Sequence, residues 1–118
     1  MAISGALTYQ NKTKEILKVT GITWINDDAK HGGIQIGDQI KPGGMATASM
    51  SNESVIPPKG IGIDITFTAT TDVGINIAIH LDIPAVGPHT LNTTAASRLA
   101  AVYWGGDDNM YTASITDL

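Results

Sequence analysis

The most regular pattern in the chain runs from Gly60 to Leu91. Ile61, Ile63, Ile65, Phe67 and Ala69 occupy alternate positions, and Ile75, Ile77, Ile79, Leu81 and Ile83 do so again after a short break. Alternation with period two predicts strands with one buried face. The break holds Thr70, Thr71, Asp72 and Gly74, which favour turns, so the two strands are expected to pair as a hairpin. Burying its apolar face contributes roughly 1.5–3 kcal/mol per large side chain. No other segment is this regular, and the rest of the chain is expected to pack around it.

Shorter runs flank the hairpin. Ala6 to Gln10 predicts a first strand, with Leu7 and Tyr9 on one face, followed by a polar turn at Asn11 to Lys14. Ile16 to Trp24 predicts a second, in which Leu17 and Val19 share a parity that Ile22 and Trp24 do not. Gly21 stands at that phase change, the signature of a β-bulge. Asn26 to Gly33 reads as a polar loop and Ile34 to Ile40 as a short strand. Lys41-Pro42-Gly43-Gly44 fits a type II turn, with Pro presetting φ and Gly taking φ > 0. Met45 to Met50, His89 to Thr93, Leu99 to Trp104 and Met110 to Ile115 are further strand candidates, the last two joined by a turn over Gly105 to Asn109. Thr94 to Arg98 is compatible with one helical turn. Eight or nine short strands at regular spacing predict an all-β fold, a single-domain antiparallel β-sandwich spanning 1–118.

Composition narrows the function more than the fold. Only 15% of the 118 residues are charged, and 7 basic against 11 acidic residues give a net charge of −4. No Lys/Arg cluster exists, which argues against a nucleic-acid partner held through phosphates and against attraction to anionic lipid by charge alone. Cysteine is absent, which excludes disulfides, thiolate metal sites and a cysteine nucleophile. The N-terminal MAISGALTYQ shows no evident signal peptide, so the chain is expected to stay in the cytoplasm or leave by a non-classical route. Asn11, Asn52 and Asn92 each begin an Asn-x-Ser/Thr sequence and, without export, read as turn asparagines.

No catalytic constellation stands out. There is no Gly-x-Ser-x-Gly elbow, and Gly60-Ile61-Gly62 fits a strand better than a phosphate loop. We therefore expect no enzyme, no cofactor and no metal. His80 and Asp82 share a strand face, and a tight connection at Pro84 to Gly87 would bring His89 near Asp82; three such groups can bind a metal, but a solvent-facing ion pair is the favoured reading. His31, in its Gly-rich loop, reads as exposed and idle. Trp24 ends a strand beside Asn26, Asp27 and Asp28. There it can serve a membrane interface or a sugar ring, or it can simply pack. Trp104, beside Gly105-Gly106, and Tyr103 read more readily as packing residues.

Several of these segments, in order, resemble the aegerolysin family of small fungal and bacterial β-sandwich proteins. A first strand runs into Asn11-x-Thr13, and a second ends in Trp24, where the family often has tryptophan. Ile40-Lys41-Pro42-Gly43-Gly44 resembles the family's I-x-P-G turn, and Gly60-Ile61-Gly62-Ile63-Asp64-Ile65 its G-T-x-G-x-F-D-L strand. Leu81-Asp82-Ile83-Pro84-Ala85-Val86-Gly87 resembles Y-W-D-x-P-W-G, and Ala101-Val102-Tyr103-Trp104-Gly105-Gly106 the late I-x-Y-S-G strand. Leu81 and Val86 stand where fungal members carry aromatics that help recognise membrane lipids, so the likeness is closer to divergent bacterial members, including small subunits of binary insecticidal toxins.

The resemblance implies a protein that binds a membrane lipid or cell-surface receptor while a larger, separate partner makes the pore. The site it implies, with the placement of Trp24, is Trp24, Asn26, Asp27, Asp82, Pro84, Gly87, Tyr103 and Trp104. Two other readings stay open: a carbohydrate-binding module using Trp24, and a structural, self-assembling protein. Low charge and an exposed edge strand also favour a homo-oligomer.

Overall fold

The computed structural model describes residues 3–26, 29–53, 59–70, 76–95, 100–107 and 109–117. Its strands are β1 (Ile3–Lys12), β2 (Leu17–Ile25), β3 (Lys30–Gly33), β4 (Gln39–Ile40), β5 (Met45–Asn52), β6 (Ile61–Ala69), β7 (Asn76–Ile83), β8 (Thr90–Ala95), β9 (Ala100–Asp107) and β10 (Met110–Asp117). They form two five-stranded sheets, sheet A ordered β3-β5-β1-β10-β9 and sheet B ordered β4-β2-β6-β7-β8. The sandwich is as expected, with ten strands rather than eight or nine. One pairing is not antiparallel: β1 and β10, the two ends of the chain, run parallel from Ala6↔Met110 to Lys12↔Thr116.

The predicted hairpin is β6–β7, in register from Ile61↔Ile83 to Thr68↔Asn76. Its inward side chains from Ile61 to Ala69 and from Ile77 to Ile83 are all buried; Thr71 to Ile75 lie outside the described residues. Facing them from sheet A are Leu7, Tyr9, Ala48, Met50, Ala113 and Ile115, and the Tyr9 and Phe67 rings meet edge to face with centroids 5.2 Å apart.

The bulge falls where the phase change predicts it. β2 pairs Val19 with Phe67 and then Gly21 with Thr66, which leaves Thr20 as the extra residue. Leu17, Val19, Ile22 and Trp24 therefore all point inward although their spacing changes parity. The turn at Lys41 to Gly44 also forms as predicted: Gly43 has φ 81°, and the Gly44 amide donates to the Lys41 carbonyl at 2.8 Å.

The stretch from Asn26 to Ile40 departs from expectation. The supposed loop contains β3, an edge strand with no large apolar residue, paired to β5 from Lys30↔Ser51 to Gly33↔Ala48. The supposed strand over Ile34 to Ile40 is mostly a turn. Gly33 and Gly37 take φ of 92° and 95°, and Asp38 accepts from the Gln35 amide at 2.9 Å, so the chain cannot stay extended. Later, β8 starts at Thr90 and continues through Thr94 and Ala95, which takes those two out of the expected helical turn. β9 likewise runs on to Asp107, and the hairpin closes around Asn109, left-handed at φ 68°.

Candidate functional site

Strand direction decides which connections share an end of the sandwich. β2 ends where β6 begins, since Ile25 pairs with Gly62, and β7 ends there too, since Ile83 pairs with Ile61. Across the core, β5 ends beside the start of β1, with Asn52 opposite Ile3, and β9 hands over to β10 at Asp107↔Met110. The connections after Ile25, Asn52, Ile83 and Asp107 thus all emerge at one end, which is the candidate face.

Two asparagines fasten this end from inside. Asn26, left-handed at φ 62°, donates through Nδ2 to the Gly60 carbonyl at 2.9 Å, and Asn52 Nδ2 reaches the same oxygen at 3.2 Å. The Asn26 carbonyl also accepts from the Ala29 amide at 3.0 Å, so this residue shapes the turn after β2. Gly60 has no room for a side chain: an added Cβ would lie 2.2 Å from the Ile83 carbonyl and 2.6 Å from Pro84 Cα. The start of β6 and the departure of the chain after β7 are therefore packed backbone to backbone.

Two ring contacts cross between the sheets near this end. Trp24 is half-buried, packs on the core and stacks on His31 of β3, with centroids 4.3 Å apart and planes 12° from parallel. His31 is thus engaged rather than idle. His89, just before β8, hydrogen-bonds through Nδ1 to the Tyr111 hydroxyl of β10, with rings nearly perpendicular at 79°. Between these fixed points the segment after β7 projects outward. Pro84 is half-buried, Val86 is 85% exposed, and Gly87 turns the chain at φ 110° with open space around it. Met110, 61% exposed, lies at the same end.

Of the site residues expected from sequence, Trp24, Asn26, Pro84 and Gly87 come together at this end, and Asp82 lies just inside it on the outer face of β7. Asp27 lies outside the described residues. Tyr103 and Trp104 are not at this end. Trp104 pairs with Ala113 well inside sheet A and packs on the core, while Tyr103 is exposed on the outer face. His80 contacts Asp64 on β6 rather than Asp82, and His89 contacts Tyr111, so the three-residue cluster weighed as a metal site does not assemble. The site expected from sequence did not include Val86 or Met110; the signals available for Val86 were its place at a position that carries an aromatic in fungal aegerolysins and its apolar side chain between prolines at 84 and 88.

At the opposite end Asn11 is fully buried. Its Nδ2 donates to the Glu15 and Ile40 carbonyls, both at 2.7 Å. Its Oδ1 accepts from the Thr13 amide at 3.0 Å and the Thr13 hydroxyl at 2.6 Å. Asn11 and Asn52 are thus buried at the ends of strands, and Asn11 also holds the turn after β1 through Thr13; Asn92 is exposed on β8.

No family model matches the chain, and no curated protein matches it in sequence. Solved structures place it in a class by fold. The RahU protein, crystallised in complex with a TRIS molecule, superposes with a TM-score of 0.70 over 97% of this chain and 96% of its own, at 11% identity. IP-1A from Alcaligenes faecalis superposes with a TM-score of 0.70 over 97% of this chain and 90% of its own, at 12% identity. The likeness is one of architecture over nearly the whole chain.

Proposed function

We propose that this protein recognises a membrane lipid or cell-surface receptor through the end of the sandwich that carries Val86, and that it acts with a larger, separate pore-forming partner as the small component of a two-component toxin. The observation that supports this most directly is the projection of Val86, 85% exposed, between the half-buried Pro84 and the His89 anchor. An apolar side chain held out on a fastened segment gains roughly 1.5–3 kcal/mol on entering an apolar environment, and the asparagine and ring contacts behind it limit the ordering cost of binding. The aegerolysin-like segments of the sequence and the fold shared with RahU and IP-1A support the same reading. It is a binding function without a catalytic step, exercised at a target-cell membrane.

Co-sedimentation with vesicles spanning sphingomyelin, ceramide phosphoethanolamine, sterol and gut lipid extract tests it. Met45, 63% exposed at the opposite end, supplies the control. Wild type and Met45→Asp should pellet alike with a selective composition, and Val86→Asp should pellet several-fold less. Failure of every mixture, or equal pelleting by Val86→Asp, would count against the reading. Dye release from vesicles by the protein alone would remove the need for a partner.

A further inference from the structure

The outer face of sheet B holds a depression of about 450 Å³, within the range of small-molecule sites, about 300–1,000 Å³. Register places four polar residues in a row across it. Thr23 pairs with Asp64, Asp64 with His80, and His80 with Asn92, so the row crosses β2, β6, β7 and β8. All four line the depression, and none belongs to the Val86 end.

The β2 bulge and the neighbouring turn shape this space. Gly21, at the bulge, lines it without a side chain, and a Cβ there would meet Thr66 Oγ1 at 2.8 Å. Ala78 keeps the adjoining position on β7 shallow. The turn after β3 is pinned beside the bulge, with the Gly37 amide donating to the Val19 carbonyl and the Val19 amide to the Asp38 carbonyl, each at 2.9 Å. This sets Ile36, 64% exposed, as an apolar wall beside the polar row. Bulges commonly re-aim side chains beside binding sites.

We infer that this depression is a second binding site, for a neutral sugar ring. Its hydroxyl, amide, carboxylate and imidazole groups offer both donors and acceptors to ring hydroxyls, while Ile36 and Ala78 offer apolar contact to the C–H face of the ring. Asp64 and His80 hold one another through His80 Nδ1, leaving Nε2 as the histidine's second hydrogen-bonding atom. No lysine or arginine is among the described lining residues, and Asp64 is a carboxylate, so a phosphate or other anion is disfavoured. The site does not depend on the membrane reading, and its residues are not the ones that reading uses.

The test is a 1H–15N NMR titration of the full chain with glucose, galactose, mannose and N-acetylglucosamine, with inorganic phosphate in parallel. At least one sugar should shift the amides of Thr23, Asp64, His80 and Asn92 saturably at millimolar concentration, and phosphate should not. His80→Ala and Asn92→Ala should each weaken binding about tenfold or more, equivalent to about 1.4 kcal/mol, while Thr68→Ala, on the same face outside the depression, should not. A soluble glycan and a neutral glycolipid present the same ring. Pelleting on vesicles containing a monohexosyl lipid, competed by the free sugar and lost in His80→Ala but kept in Val86→Asp, assigns the lipid source; sugar binding without pelleting assigns the soluble one. No shift with any sugar, shifts confined to the Val86 end, equal binding of phosphate, or binding untouched by both variants would overturn the site.

Discussion

Trp24 and His31 belong to different sheets, yet their rings stack with centroids 4.3 Å apart and planes 12° from parallel. The chain crosses from sheet B to sheet A between them, so the stack closes the crossover on itself. The indole also packs on the core. Trp24→Ala should therefore cost about 2 kcal/mol, less than the loss for a fully buried tryptophan, and His31→Ala about 0.5–1 kcal/mol. Urea unfolding checks both. A loss of vesicle binding in Trp24→Ala would have to be judged against that destabilisation, which is why Val86→Asp is the cleaner probe of the membrane face.

Asn11 joins strands from both sheets at the opposite end through four side-chain hydrogen bonds. Asn11→Ala would leave several buried polar groups without a partner, at an expected cost of about 3 kcal/mol. Asn11→Asp keeps the acceptor but turns a carboxylate oxygen toward the Glu15 and Ile40 carbonyls, so at neutral pH it should be at least as damaging. That carboxyl would hold its proton more tightly folded than unfolded, and part of the loss should return as pH falls through the carboxylate range. Urea midpoints at neutral and acidic pH read this directly.

What the sequence showed and what it hid divide along the same physics. The β6–β7 hairpin was legible because two period-two runs each bury one complete face, and the bulge because Gly21 marks a change of parity. β3 was not, because Lys30-His31-Gly32-Gly33 has no alternation to detect and is placed by backbone pairing to β5 and by the stack of His31 on Trp24. Nor was the parallel pairing of β1 with β10, which joins chain ends through Thr-, Ser- and Ala-rich strands. At the site, the position of Trp24 was readable, but its inward direction follows from the extra residue at Thr20. The row of Thr23, Asp64, His80 and Asn92 exists only once four strands are in register; within one strand, His80 pointed toward Asp82 as its natural partner.

The glycines divide into two groups with different expected costs. At Gly60 an added Cβ would collide with the Ile83 carbonyl at 2.2 Å, and at Gly62 with the Leu81 carbonyl at 2.4 Å and Ile25 Cδ1 at 2.5 Å. Backbone cannot retreat there without breaking the β6–β7 pairing. Gly60→Ala and Gly62→Ala should each cost more than about 2 kcal/mol. Gly37 and Gly87 have open space but positive φ, so Gly37→Ala and Gly87→Ala should cost about 1 kcal/mol. Thermal melts of the four variants should separate into these two classes; similar melting temperatures for all four would contradict the close approach of β6 to the chain leaving β7.

Tyr9 carries the one buried side-chain polar atom without a hydrogen-bond partner among the described residues, its hydroxyl. Its ring contributes to the core beside Phe67, but the hydroxyl forgoes its bonds to water. Tyr9→Phe keeps the ring and removes that penalty, so it should stabilise the protein by about 1 kcal/mol and raise its melting temperature by about 2–8 °C. The same burial, with the Asp64 carboxylate adding to it, pushes the Tyr9 phenol well above the ordinary tyrosine value. The folded chain then keeps a proton that the unfolded chain releases above about pH 10. This contribution to stability is fully present below that pH and is lost as pH rises, at up to about 1.4 kcal/mol per pH unit. Tyr9→Phe should therefore gain its advantage at neutral pH and widen it in alkali, where its stability falls less steeply than that of wild type. Parallel alkaline slopes for the two proteins would mean that the hydroxyl reaches water or a partner in solution.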